Sequence, residues 1–183
     1  ADKFTDLAGN WAKPYISALV EEGVINGVSD TEFAPNAKIT RADFSLMLIK
    51  ALGMSSEEPH GFSDVNAGDY YSDAIAAAKA YGLVKGTSDV TFSPKANITR
   101  QDAVSIISRT LDAIGYTEGK AGDLSVFADA SLIASYAKAP FEKLVGLGFV
   151  NGNNGMVNPT TNISRAEAAK LIYDVLQTKK AVE

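Results

Sequence analysis

The chain has 183 residues, no cysteine, a formal net charge of −5 and an apolar fraction of 46%. A chain of this size buries roughly 70% of its unfolded surface, and its composition excludes disulfide frameworks, thiolate metal sites and the basic stripe a nucleic-acid binder needs. No apolar run approaches the roughly 20 residues that span a bilayer, so membrane insertion is not expected.

The first residues, Ala1-Asp2-Lys3-Phe4, already lie inside a recognisable unit, and any signal peptide is expected to have been removed. Ile16, Leu19 and Val20, spaced i, i+3, i+4, predict a short amphipathic helix. Pro14 suits its first turn and Gly23 its left-handed end. Gly27 and Phe33-Ala34-Pro35 then predict a turn-rich loop. A second helix follows Thr40, with its apolar stripe on Phe44, Met47, Leu48, Ala51 and Leu52. After a loop from Gly53 to Gly61 the succession returns. Ile75, Ala78 and Lys79 mark the first helix, Gly82 and Gly86 the turn, and Ala103, Ile106, Ile107, Thr110 and Leu111 the second stripe. A loop from Gly115 to Val126 leads to the third pass: Phe141, Leu144 and Val145, then Gly148 and Gly152, then Ala168, Leu171, Ile172, Val175 and Leu176.

Four landmarks recur in fixed order. Phe4-Thr5-Asp6 matches Phe62-Ser63-Asp64 and Phe127-Ala128-Asp129. The Gly-x-x-x-Gly turns and the Phe33-Ala34-Pro35, Phe92-Ser93-Pro94 and Val157-Asn158-Pro159 loops follow. Last come Ile39-Thr40-Arg41-Ala42-Asp43, Ile98-Thr99-Arg100-Gln101-Asp102 and Ile163-Ser164-Arg165-Ala166-Glu167. From the opening Phe to the Arg is 37, 38 and 38 positions. The chain is therefore expected to be one domain, 1–183, built of repeats 1–54, 60–117 and 125–179. A lone helical hairpin cannot bury its stripe, so the three stripes are expected to meet. The predicted fold is all-α, mainly helical with long loops: three helix-loop-helix repeats closed into a pseudo-threefold trimer around a central three-helix bundle.

Thr40/Asp43, Thr99/Asp102 and Ser164/Glu167 each have capping-box spacing, which alone would explain these six residues. The Arg between them is not explained by capping, because a cation in the first turn opposes the helix macrodipole. Arg41, Arg100 and Arg165 either pair with a neighbouring acid or grip an anionic ligand bidentately, and spacing leaves both readings open. Trp11, Tyr70-Tyr71 and Tyr136 stand at the start of the first helices, where they either pack as core edges or present flat faces to a sugar. Lys13 and Lys138, beside two of them, could add charge for an anionic sugar, or simply be solvated. Catalysis is not expected. Hydrolysis of a glycan needs paired carboxylates across a cleft, and the recurring acids have capping or loop-tying explanations. His60 is the only histidine, in a Glu-Glu-Pro-His loop with no evident Ser partner. No run has calcium- or zinc-ligand spacing.

Taken in order, Phe-x-Asp, Trp-Ala with an Ile five residues on, Gly-x-x-x-Gly, Phe-x-Pro and Thr-Arg-Ala-Asp/Glu resemble the S-layer homology domain, usually found in three tandem copies. The resemblance covers nearly the whole chain. It implies a compact pseudo-trimer with intervening grooves, no cofactor, and non-covalent attachment of a surface protein to the cell wall of a Gram-positive-type envelope. The partner it implies is a cell wall polysaccharide, the secondary cell wall polymer, commonly ending in pyruvylated N-acetylmannosamine. Carried across by motif, contact with the acidic substituent falls on Arg41, Arg100 and Arg165. The aromatic position falls on Trp11, Tyr70 and Tyr136, with Tyr71 as the register alternative. The parent S-layer protein or surface enzyme is expected to continue beyond this chain. Copy two departs from the pattern at Gln101 and Lys85, and copy three at Ser164, at Val157 before the Pro loop, and at its Asn151–Gly155 turn. All three Arg are kept, which allows three grooves without implying equal affinity, the one using the copy-three turn being the most altered. A protein-interaction or self-assembly module is the alternative reading, as repeat surfaces often bind proteins.

Overall fold

A computed structural model describes residues 3–183; Ala1 and Asp2, the expected start of the first repeat, lie outside the described residues. The fold is all-α: α1 (Lys13–Glu21), α2 (Arg41–Leu52), α3 (Ser72–Ala80), α4 (Arg100–Ala113), α5 (Ser135–Gly146) and α6 (Arg165–Val182). Among the described residues, three 3-10 turns punctuate the loops, at Thr5–Leu7, Leu124–Val126 and Ala130–Leu132. Among the described residues, extended pairing is limited to isolated bridges such as Thr40 with Asn97 and Thr99 with Asn162.

Each first helix stops for the reason its glycine implies. Gly23, Gly82 and Gly148 adopt φ of 71°, 71° and 76°. The Val24 amide then donates to Leu19 and the Gly23 amide to Val20, a reciprocal pair that satisfies carbonyls left open at the helix end. Leu83 with Ala78, and Phe149 with Leu144, repeat it. Pro14 sits in the first turn of α1, as expected.

The second-helix stripes are the core. All fifteen residues predicted for α2, α4 and α6 are buried, and α6 packs against both α2 and α4. The predicted first-helix faces need one correction. Ile16, Leu19, Ile75, Ala78, Phe141 and Leu144 are buried, but Lys79 is exposed. Its ammonium lies 4.6 Å from the Phe62 ring centroid and donates to the His60 carbonyl, so that face ends one position early.

Each first helix packs on the second helix of another module. α3 packs on α2, α5 on α4, and α1 on α6, so every second helix is covered by a first helix from another copy. The backbone carries the same head-to-tail order. Ile98 N–H donates to Ile39 C=O at 3.0 Å, Ile163 N–H to Ile98 at 3.1 Å, and Ile39 N–H to Ile163 at 3.4 Å.

Within each module the Phe-x-Asp acid ties down the Pro loop. Asp6 accepts from the Phe33 and Ala34 amides, Asp64 from Phe92 and Ser93, and Asp129 from Val157 and Asn158. Those bonds hold Ala34, Ser93 and Asn158 in the left-handed region, at φ of 57°, 58° and 49°. Burial pushes the Asp64 carboxyl up, but the two amides outweigh it and hold its pKa below the usual value.

Candidate ligand-binding grooves

The residues ahead of each second helix converge on three clefts with one plan. The first, of about 430 Å³, is lined by Arg41, by the Lys85-Gly86-Thr87 turn, by Asp102, Ser105, Ile106 and Arg109 of α4, and by Tyr136. The second, of about 260 Å³, gathers Arg100, the Asn151–Asn153 turn, Glu167, Lys170 and Leu171 of α6, and Trp11. The third, of about 180 Å³, gathers Arg165, the Asn26-Gly27-Val28 turn, and Asp43, Leu46, Met47 and Lys50 of α2. Tyr70 reaches this third groove through a 2.6 Å hydrogen bond to Asp43. Each groove thus takes its Arg from one module, its turn and acid helix from a second, and its aromatic from the remaining one.

The arginines have structural partners, which tips the open question of their pairing. Arg41 is only 7% exposed. Its Nε donates to Phe92 C=O at 2.9 Å, Nη2 to Lys85 C=O at 3.1 Å and Nη1 to Asp102 at 3.2 Å, with the guanidinium 4.9 Å from the Phe92 ring centroid. Arg165 repeats the first two bonds on Phe33 and Asn26 and stacks 4.6 Å from the Phe33 ring centroid. Burial lowers the pKa of both guanidinia, and Asp102 and Asp43 respectively oppose the shift. Arg100 differs. It pairs with Glu167, and its buried Nε finds no partner. In copy three Val157 replaces the Phe, which removes the ring, and Gly152 turns to φ 73°. The carbonyls that cradle the other two arginines are not brought to Arg100.

The capping expectation holds in full only once. Thr40 and Thr99 accept from the Asp43 and Asp102 amides, yet neither Asp reaches back. Ser164 and Glu167 form the complete reciprocal box. Asp is a methylene shorter than Glu, and a tyrosine hydroxyl claims its carboxylate: Tyr70 on Asp43 and Tyr136 on Asp102, each at 2.6 Å. Trp11, lacking a hydroxyl, leaves Glu167 free to turn to its own cap. The hydrogen bond to Asp43, then burial, pushes Tyr70 up to about 12; burial, then Asp102, does the same for Tyr136.

The helix N-terminal amides are not open to a ligand. Arg41 and Ala42 N–H donate to Ala96 and Pro94 C=O, Arg100 and Gln101 N–H to Thr161 and Pro159, and Arg165 and Ala166 N–H to Ala37 and Pro35. Copy-two Gln101 has its own task, accepting the Ala134 amide at the start of α5.

The aromatic register resolves on Tyr70. Trp11, Tyr70 and Tyr136 are 57%, 70% and 58% exposed, whereas Tyr71 is 5% exposed and packed in the core. Tyr71 is therefore corrected to a core residue, at the position held by buried Ala12 and Ala137 in the other copies. The lysines are corrected too. Lys13 lines a separate hollow with Phe4 and Ser17, and Lys138 is exposed; neither lines a groove. Sequence reasoning missed Lys50 and Arg109, which line the third and first grooves. Both stand nine positions after the motif Arg, and that recurrence was the available signal. His60 Nδ1 accepts the Phe62 amide at 3.0 Å, so the ring closes a turn. Among the described residues no group of acidic, His or Cys side chains could hold a metal, and no helix is long and apolar enough to cross a membrane.

Fold and grooves define a three-module helical domain with a motif arginine in each inter-module cleft. A model of the S-layer homology domain matches residues 3–45, 61–104 and 126–169, and the chain belongs to that family of cell-surface anchoring modules. It is 36% identical to an amylopullulanase of Thermoanaerobacterium thermosulfurigenes across 95% of this chain and 9% of that protein. It is 35% identical to a surface-layer 125 kDa protein of Lysinibacillus sphaericus across 97% of this chain and 15% of that one. Identity to S-layer protein EA1 of Bacillus anthracis is 32%, across 92% of this chain and 19% of the relative. The chain thus spans less than a fifth of the length of these relatives.

Proposed function

We propose that this domain holds a larger bacterial surface protein on the cell wall by binding an acidic secondary cell wall polymer in the grooves between modules, without catalysis. The ligand group is a terminal sugar bearing a carboxylate, the pyruvylated N-acetylmannosamine expected for the family. The observation that carries this reading is the convergence, in each groove, of a guanidinium and an exposed ring from different modules. The hydroxyls of Tyr70 and Tyr136 are anchored on Asp43 and Asp102, yet these rings and that of Trp11 stay more than half exposed, open to a sugar face. The domain is one unit of repeats 1–54, 60–117 and 125–179, closed as a pseudo-threefold ring; the head-to-tail isoleucine bonds and the packing of α1 on α6 support closure. Its place is extracellular, at the cell wall or S-layer. With net charge −5 the chain does not steer anions from afar, so attraction is local, and several weak grooves on one polymer raise avidity.

The motif arginines are poor probes of this reading, because their loss also unties neighbouring modules. The exposed rings are better. A Trp11→Ala, Tyr70→Ala, Tyr136→Ala triple variant should keep its thermal midpoint within a few degrees and lose retention on polymer-bearing wall sacculi. Wild type should release from sacculi stripped of polymer. Undiminished retention of the folded triple variant, or equal wild-type binding to stripped sacculi, would overturn the proposal and favour a protein-interaction or self-assembly role.

A further inference from the structure

The three grooves share a plan but not a charge. In the second, Lys170 is held by an ion pair to Asp174 at 2.5 Å, which leaves Arg100 facing Glu167. In the third, Arg165 and Lys50 face Asp43. In the first, the largest of the three by volume, Arg41, Lys85 and Arg109 face the single carboxylate of Asp102. That carboxylate is already committed on both oxygens, to Arg41 and to the Tyr136 hydroxyl.

Arg109 is the anomaly. Its Nε donates to Leu83 C=O at 2.8 Å, which fixes the guanidinium at the groove wall. It is partly buried and, among the described residues, has no carboxylate within ion-pair distance. Burial lowers its pKa, Asp102 opposes that from further off, and Arg41 adds a like-charge penalty. Its terminal nitrogens find no protein partner among the described residues and stay open to the groove, where an anion would offset the like charge of Arg41. The corresponding position nine residues after the motif Arg is Lys50 in copy one and Asp174 in copy three, so only the first groove has a second guanidinium.

We propose that the first groove recognises a doubly anionic glycan segment, with Arg109 as the specificity residue for a second acidic group beyond the terminal carboxylate. This rests on the anchoring reading above and adds to it. Arg41 is largely spent on holding the Phe92 and Lys85 carbonyls, so the accessible fork for the added anion is that of Arg109. Tyr136 walls the sugar between the two charges. The other grooves take a singly charged terminus.

Two probes separate these claims: a methyl glycoside of pyruvylated N-acetylmannosamine, and the same pyruvylated sugar as its anomeric phosphate. Calorimetric titration of the full chain should show the phosphate probe binding one site about tenfold more tightly than the glycoside, with the gain shrinking as salt rises. Arg109→Gln should abolish that gain, so that the two probes bind with equal affinity, Arg109→Lys should keep part of it, and Lys50→Gln should not alter it. Melting curves show whether loss of the Leu83 bond perturbs the fold, and the lysine variant, which also lacks that bond, controls for it. Equal affinity for both probes, or a gain that survives Arg109→Gln, would overturn the dianion proposal while leaving the anchoring reading intact. Failure of both probes to bind would overturn both.

Discussion

A guanidinium in the first turn of a helix is unfavourable locally, and here the cost is offset across module boundaries. Arg41 spends its donors on two carbonyls, a carboxylate and a ring of the next module. Arg165 makes the carbonyl and ring contacts without a close ion pair, and Arg100 has its ion pair but an unpartnered buried Nε. Deleting each should therefore have a different effect. Arg41→Ala should lower unfolding free energy by about 2–4 kcal/mol, Arg165→Ala by about 1–2, and Arg100→Ala by least, since its removal also relieves an unsatisfied donor. Urea titrations of the three variants give the order directly, and equal losses would contradict it. That the motif Arg needed an explanation beyond capping was legible in the sequence. Its partners were not, because they lie on a turn and a helix that only the tertiary fold brings near.

At the scale of elements, periodicity carried most of the information. Every residue predicted for the second-helix stripes is buried, because an i, i+3, i+4 pattern repeated over three turns has one way to hide. Capping was less legible. A spacing rule treats Asp and Glu alike, while the fold gives the Asp carboxylates to Tyr70 and Tyr136 and lets only Glu167 reach back. The α6 cap should accordingly be the acid-sensitive one. Burial raises the Glu167 pKa, but the Ser164 amide and Arg100 outweigh it, leaving the carboxyl below its usual 4.5. A depressed pKa means this stability is fully present above about pH 4.5 and is lost as pH falls through the folded value. Ser164→Ala should cost about 1 kcal/mol at pH 7. Glu167→Gln should flatten the acid limb of the stability curve relative to wild type, as read from melting temperatures between pH 3 and 7. An unchanged acid limb would show that other carboxylates govern it.

At the scale of the molecule, the least legible feature is the exchange of first helices between modules. Each helix-loop-helix unit is local in sequence, and nothing in its composition says that α1 belongs on α6 while α3 belongs on α2. The arrangement nevertheless has a thermodynamic signature. In an open array each repeat contacts only its neighbours, so removing a terminal repeat costs one interface and leaves the others intact. Here the first module touches the third as well as the second: α1 covers α6, Arg165 is held by Phe33 and Asn26, and Ile39 lies between Ile98 and Ile163. Deleting residues 1–59 would bare the apolar stripe of α6, unpair Arg165 and strip α4 of the motif Arg bonded to Asp102. The full chain should thus unfold in a single cooperative transition, and the 60–183 fragment should lose that cooperativity rather than melt a few degrees lower. Circular dichroism melts of the two chains decide between the alternatives. A sharp transition in the fragment, close to that of the full chain, would mean that the modules stand as a linear array and that the grooves work independently.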